Sequence, residues 1–196
     1  MALDVYLIRH GATEWTHTGQ HTGRTDLPLL PEGEAQARHL GEALRGVRFD
    51  AVWSSDLRRA LHTAELAGFE RPKVSPLLRE LDYGEYEGVT TADIHRRQPD
   101  WELFRDGCPG GESPAEGAAR ARAFLAVLAT QEGTVALFSH GHFMRALATS
   151  WVHLDISAAA HLGLDASGVG VLRQSDRGRL IQRWNWVPDV TAAATH

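Results

Sequence analysis

Two short apolar runs constrain this chain more than anything else in it. Val5-Tyr6-Leu7-Ile8 leads into Arg9-His10-Gly11, and Thr134-Val135-Ala136-Leu137-Phe138 leads into Ser139-His140-Gly141. A continuous apolar run of this length, closed by turn chemistry, reads as an interior strand of a parallel sheet, covered on both faces. Open α/β sheets bind ligands beyond the C-terminal ends of their strands. Adjacent parallel strands would therefore bring His10 and His140 together at a ligand-binding edge, with Arg9 as an anion-binding cation. The glycine after His10 lets the backbone turn and approach a ligand closely.

The remaining pattern supplies the layers. Residues 3–9 are the first strand, and residues 11–30 read as a long loop rich in hydroxyls, histidines and glycines. Long ordered loops are usually functional. Pro31 opens a helix to about Leu44, with Ala35, Ala37, Leu40, Ala43 and Leu44 as its apolar face. A second strand covers 49–54, and Ser55 or Asp56 is suited to cap a helix from Leu57 to about Leu66. A short strand holds Val74, a short helix spans 90–98, and residues 106–111 form a Gly-rich turn. Ser113-Pro114-Ala115-Glu116 is a capping-box pattern opening a helix to about Ala129 that buries Ala121, Phe124, Leu125 and Leu128. A helix follows Ser139-His140-Gly141-His142 to about Trp151. Closing strands are expected at 159–165, 168–175 and 179–186, the last two paired around Asp176-Arg177-Gly178. The expected fold class is α/β: a three-layer αβα sandwich, its sheet mostly parallel, with helices on both faces. One domain is expected over residues 1–196, with an Ala/Thr-rich, loosely packed tail from Val187 to His196.

Composition narrows the partners. At 196 residues the chain suits one α/β domain with a sizeable core. Twenty basic against 25 acidic residues, net charge −5, argues against a nucleic-acid or polybasic membrane protein. Cys108 is the only cysteine, so no intrachain disulfide can form. No apolar stretch approaches a membrane span, and no signal core stands at the start; the expectation is a cytoplasmic protein. Lys73 is the only lysine. Arginine's planar fork suits bidentate anion recognition, although a GC-rich coding background accounts for most of this bias.

At one sheet edge the pattern collects His10, His140, Arg9, Arg59 from the first turn of the second helix, and Glu80 from the acidic loop 79–88. Phosphoryl transfer through a phosphohistidine needs this set. A neutral imidazole offers a lone pair to phosphorus near neutral pH, which a hydroxyl does not do without a base. Guanidiniums hold phosphoryl oxygens in place of a metal, the second histidine donates to them, and a carboxylic acid protonates the leaving alkoxide and then deprotonates water. His17 and His21 are separated by a glycine with no helix to align them, so the reading is exposed or substrate-facing rather than metal-binding. His140 and His142 lack evident third and fourth ligands for zinc. No metal and no cofactor are expected.

At these residues the chain resembles the histidine phosphatase superfamily, also called phosphoglycerate mutase-like, from Leu7 to about Trp151. Arg9-His10-Gly11 matches its signature, which implies His10 as the phosphorylated nucleophile. Ser54-Ser55-Asp56-Leu57-Arg58-Arg59-Ala60 is similar to the second motif, implying Arg59 rather than Arg58 on the phosphate. Leu78-Arg79-Glu80 resembles the acid-carrying motif, implying Glu80 as proton donor, and Ser139-His140-Gly141 the closing motif, implying His140 on the phosphate. Many members carry Asn after the Trp of the first motif. Here Thr16 follows Trp15, and its hydroxyl becomes the candidate phosphate contact. Leu30 replaces the usual helix-capping Thr.

Residues 14–29, 104–108 and 140–145 are further similar to the sedoheptulose-1,7-bisphosphatase-like and acid-phosphatase-like members. That implies a phosphatase for sugar phosphates or bisphosphates, with Thr22, Gly23, Arg24, Arg105, Gly141 and His142 as substrate contacts; the plain alternative for each loop residue is a solvated side chain. The expected partner is a small phosphorylated metabolite. Two other functions use the same residues: a cofactor-dependent phosphoglycerate mutase, in which a substrate hydroxyl replaces water, and a catalytically inactive phosphate-binding scaffold. The short chain and the complete residue set favour hydrolysis over both.

Overall fold

The structure, a computed structural model, describes residues 2–188. Its centre is one sheet of six strands: β1 (Leu3–Arg9), β2 (Ala51–Ser54), β3 (Lys73–Val74), β4 (Gly133–Ser139), β5 (Val169–Ser175) and β6 (Gly178–Trp186), in the order β3-β2-β4-β1-β5-β6. The first four run parallel; β5 is antiparallel to β1, and β6 to β5.

The two apolar runs are β1 and β4, side by side in parallel register, with Val5 opposite Val135 and Arg9 opposite Ser139. Alternate side chains of each strand feed opposite cores. After the short helices α4 (Thr91–His95) and α5 (Leu103–Asp106) come α6 (Pro114–Leu128) and α7 (Gly141–Trp151), beneath which Val5, Leu7, Val135 and Leu137 pack with Phe124, Leu128, Phe143 and Leu147. Ile8, Ala136 and Phe138 pack with Leu40, Leu44 and Ala64 beneath α2 (Pro31–Leu44) and α3 (Arg58–Leu66). Helices thus cover both faces, as the sandwich requires.

Local chemistry explains most element ends. Ser113 and Glu116 form the reciprocal capping box of α6, and Pro31 opens α2, where Leu30 supplies no side-chain cap. On α2 the buried positions are Gly33, Ala37, Leu40 and Leu44, whereas Ala35 and Ala43 face solvent, opposite to expectation. Gly33 is buried because the loop after β1 crosses it: a Cβ on Gly11 would stand 2.4 Å from the Gly33 carbonyl oxygen.

Two further expectations fail. Residues 11–30 are not wholly irregular, since α1 (Glu14–Thr18) forms behind a Thr13/Thr16 capping box. Residues 159–165 are not a strand. Ile156–His161 is a 3-10 helix capped by Asp155, and the Arg145 guanidinium donates to its Ala159 and Ala160 carbonyls, which a sheet ladder would have claimed. The closing pair β5 and β6 forms as expected, Ser175 opposite Gly178. In the expected loose tail Val187 is exposed but Pro188 is buried, and the remainder, from residue 189, lies outside the described residues. No described helix is long and apolar enough to cross a membrane.

Candidate active site

The adjacent ends of β1 and β4 set the site. The His10 amide donates to the Ser139 carbonyl at 3.0 Å, and the His10 and His140 rings stand 5.2 Å apart, edge to face. His10 Nδ1 lies 2.8 Å from the Gly11 carbonyl oxygen. A carbonyl only accepts, so Nδ1 carries the proton and Nε2 keeps its lone pair. Burial, reinforced by Arg59 and Arg9, holds this ring well below its ordinary pKa of 6.5, so it is neutral at physiological pH.

Arg9 and Arg59 play different parts. Arg9 lines the cavity in front of His10, donates Nη1 to the Leu164 carbonyl, and leaves a buried Nε without a protein partner. Its guanidinium lies flat against Gly141, where a Cβ would stand 3.2 Å from Nε. Arg59 is wholly buried. Nε donates to His140 Nδ1 at 3.2 Å, Nη1 to the Thr25 carbonyl at 2.9 Å, and Nη2 to the carbonyls of Thr22 and Gly23 at 3.0 and 2.9 Å. Four of its five N–H groups are engaged in this state. The expected pair of bidentate forks therefore reduces to one open fork, Arg9, and one arginine clamping loop 22–25. His140, also buried and held neutral by burial and Arg59, pairs through Nε2 with the Ser55 hydroxyl at 2.9 Å.

Glu80 reaches the cavity because the Ser139 hydroxyl donates to the Leu78 carbonyl at 2.6 Å, pinning the acidic loop to the end of β4. Its carboxylate then sits under the start of α7. Oε1 accepts from the Phe143 amide at 2.8 Å and the Leu81 amide at 2.9 Å, and Oε2 from the His142 amide at 3.1 Å. Helix N-termini favour a negative group.

The cavity holds about 170 Å3. Arg9, His10, Thr16, Thr22, Glu80, Gly141 and His142 all line it, joined by Trp15, His21, Tyr83 and Arg145. Thr16 uses its hydroxyl in the α1 capping box with Thr13, at 3.0 Å, which restricts the role expected for it. Gly23 and Arg24 line a separate groove of about 600 Å3 that touches the first only at Glu80, and Arg24 there pairs with Asp82. Arg105 is not in either. Its exposed guanidinium is claimed by Asp106 and the Asp100 carbonyl, so the expected substrate contact is corrected to a surface ion pair.

Sequence reasoning passed over several contributors. Glu87 accepts from the Gly23 and Thr25 amides at 2.9–3.1 Å and so holds the loop whose carbonyls clamp Arg59. Ser55, a candidate helix cap, does accept from the Leu57 amide at 3.3 Å, but its hydroxyl also fixes His140. Tyr83 is no surprise in the lining, since the sequence offers its ring to the pocket or to the core; raised far above its usual pKa by burial and therefore a neutral phenol, it sits 2.6 Å from His142 Nδ1. Arg145, one turn into α7, was visible only as part of a motif.

The fold and the site together define a phosphate-handling α/β enzyme built on two strand-end histidines. The model of the histidine phosphatase superfamily (branch 1) matches residues 5–187, and the chain belongs to that superfamily. It is 40% identical over 169 residues to an acid phosphatase of Mycobacterium tuberculosis, covering 84% of this chain and 83% of the relative. It is 32% identical over 183 residues to sedoheptulose 1,7-bisphosphatase of Saccharomyces cerevisiae, covering 76% and 68%. The solved structure of an open reading frame from Mycobacterium tuberculosis superposes with TM-score 0.91 at 36% identity, covering 95% of this chain and 98% of that one. The protein is accordingly a histidine phosphatase, a phosphoric monoester hydrolase.

Proposed function

We propose that the chain hydrolyses phosphate monoesters of small metabolites, sugar phosphates or bisphosphates among them, through a phosphohistidine on His10 Nε2. The observation that carries this reading is the His10–Gly11 hydrogen bond. It fixes the tautomer with Nε2 bare, in a cavity that also holds Arg9 and Glu80. Nε2 attacks phosphorus while the bond to the ester oxygen breaks. Arg9 takes up phosphoryl charge, and Arg59 and His140 act from behind with their remaining N–H group and dipole. Glu80 protonates the departing alkoxide, then accepts a proton from the water that cleaves the phosphorus–nitrogen bond. The bisphosphatase relative supports the sugar-phosphate range.

The test is release of inorganic phosphate from p-nitrophenyl phosphate and from a panel of sugar phosphates, with and without chelator. Turnover untouched by chelator, with an acid-labile phosphoenzyme on rapid quenching, is the expected result. Robust interconversion of 2- and 3-phosphoglycerate without net phosphate release would replace hydrolysis by mutase chemistry.

A further inference from the structure

We propose that His21 reads a free hydroxyl on the alcohol side of the substrate, so that this site selects the phosphates of polyols over otherwise similar alkyl phosphates. The inference rests on the phosphatase reading above and deepens it.

The His21 ring is buried and fixed on three sides. It packs on Tyr83 at 4.9 Å between centroids, edge-on to Trp101 at 5.7 Å, and stacked on His142 at 6.0 Å. Nδ1 lies 2.7 Å from the Val89 carbonyl oxygen. That oxygen has no proton to give, so Nδ1 carries one, and burial keeps the ring neutral. Nε2 is then a bare acceptor, and no described residue donates to it. It lines the same cavity as His10.

Several neighbouring polar groups of that wall are already engaged. Gln20 donates to the Gly88 carbonyl and accepts from Thr18; the Thr22 hydroxyl donates to the Gln20 carbonyl; Thr16 pairs with Thr13. The Glu80 oxygens accept from backbone amides. A ligand filling the cavity must therefore bring a donor to His21 or leave a buried acceptor unpaired. An ammonium would also donate, and Glu80 in the same lining would attract it, but two guanidiniums, Arg9 and Arg145, stand there against that one carboxylate, so the balance of charge favours a neutral hydroxyl. Sites that hydrogen-bond a substrate hydroxyl reject the analogue lacking it far more strongly than sites that merely fit its shape.

The experiment compares kcat/KM for two matched pairs: ribose 5-phosphate against tetrahydrofurfuryl phosphate, and glycerol 3-phosphate against n-propyl phosphate. The wild-type protein should prefer the polyol ester by about tenfold or more in at least one pair. His21→Phe, which keeps an aromatic ring and removes the acceptor, should bring that ratio to about twofold or below; general damage would lower both esters alike and leave the ratio. Wild-type ratios under about twofold in both pairs overturn the proposal without any variant, as does a ratio that His21→Phe leaves unchanged. Absence of wild-type turnover on all four esters and on p-nitrophenyl phosphate overturns the phosphatase reading itself, so the two failures are distinct.

Discussion

Arg59 donates its Nε–H to Nδ1 of His140. The bond forces the His140 proton onto Nε2, where it points at Ser55. His10, 5.2 Å away, holds the opposite tautomer, with its proton on Nδ1. Two chemically identical side chains at equivalent strand ends are thus set apart by their partners. One presents a lone pair to the cavity; the other is locked into the wall.

That difference makes His10 the residue whose loss should stop the reaction. His10→Ala should lower turnover on the order of 10^4-fold or more, and should eliminate any acid-labile phosphoenzyme. Rapid quenching with labelled substrate checks both. His140→Ala protein that still forms phosphoenzyme, beside His10→Ala protein that does not, would separate the two roles.

Glu80→Gln should remove the acid with little change of size, although its NH2 must replace one oxygen that accepts a backbone N–H under α7. Turnover of alkyl phosphates should fall roughly 10^2-fold or more, as general-acid catalysis predicts, and p-nitrophenyl phosphate, which leaves without protonation, should lose far less. Equal losses across leaving groups would take the acid role away from Glu80.

Stability should fall below pH 6.5. His10, His140 and His142 are each held well below that ordinary value by burial, His10 and His140 with Arg59 as the next cause and His142 with Arg145. The unfolded chain takes up protons there that the folded chain refuses, so unfolding becomes easier as pH drops. Each ring removes roughly 1.4 kcal/mol per pH unit below 6.5 until it titrates in the folded state. Urea unfolding between pH 5 and 7.5 measures this, and a flat profile would show the rings to be accessible.

Ser55→Ala should leave the buried His140 Nε2–H without an acceptor and remove a bond to the Leu57 amide. An unmet buried donor costs about 1–3 kcal/mol, and for a chain of this size each kcal/mol lowers Tm by roughly 2–4 °C. Thermal melting should register that loss together with reduced turnover.

Arg105→Ala serves as the counter-test. Its guanidinium is on the surface with Asp106, away from the cavity. Changes at exposed positions of this kind alter folding stability by no more than about 0.5 kcal/mol, and with Arg105 absent from the cavity lining kcat/KM for sugar phosphates should change less than about twofold. A loss beyond tenfold would return Arg105 to the substrate.

The continuous apolarity of β1 and β4, the Pro and Ser starts of α2 and α6, and the two strand-end histidines are legible in the sequence because they are local: apolar run, cap and turn chemistry act within a few residues. The same local reading fails at 159–165, where the carbonyls of Ala159 and Ala160 are taken by Arg145 from another element, and within 11–30, where the Thr13-x-x-Thr16 spacing is a capping signal for α1. At Arg105 a motif resemblance gives no sign of Asp106 as the guanidinium's partner.

The residue pattern alone places His10 and His140 at the ends of buried strands, since continuous apolar runs suit the interior of such a sheet; that the two strands are neighbours comes from their pairing in the folded chain. Which nitrogen of each ring carries its proton, that Arg59 turns inward to hold a loop while Arg9 faces the ligand, and that His21 offers a bare acceptor were decided only by tertiary structure. Each depends on a carbonyl or a hydroxyl brought within about 3 Å from a distant part of the chain, or from the turn the chain makes there, and hydrogen bonds act only at that range.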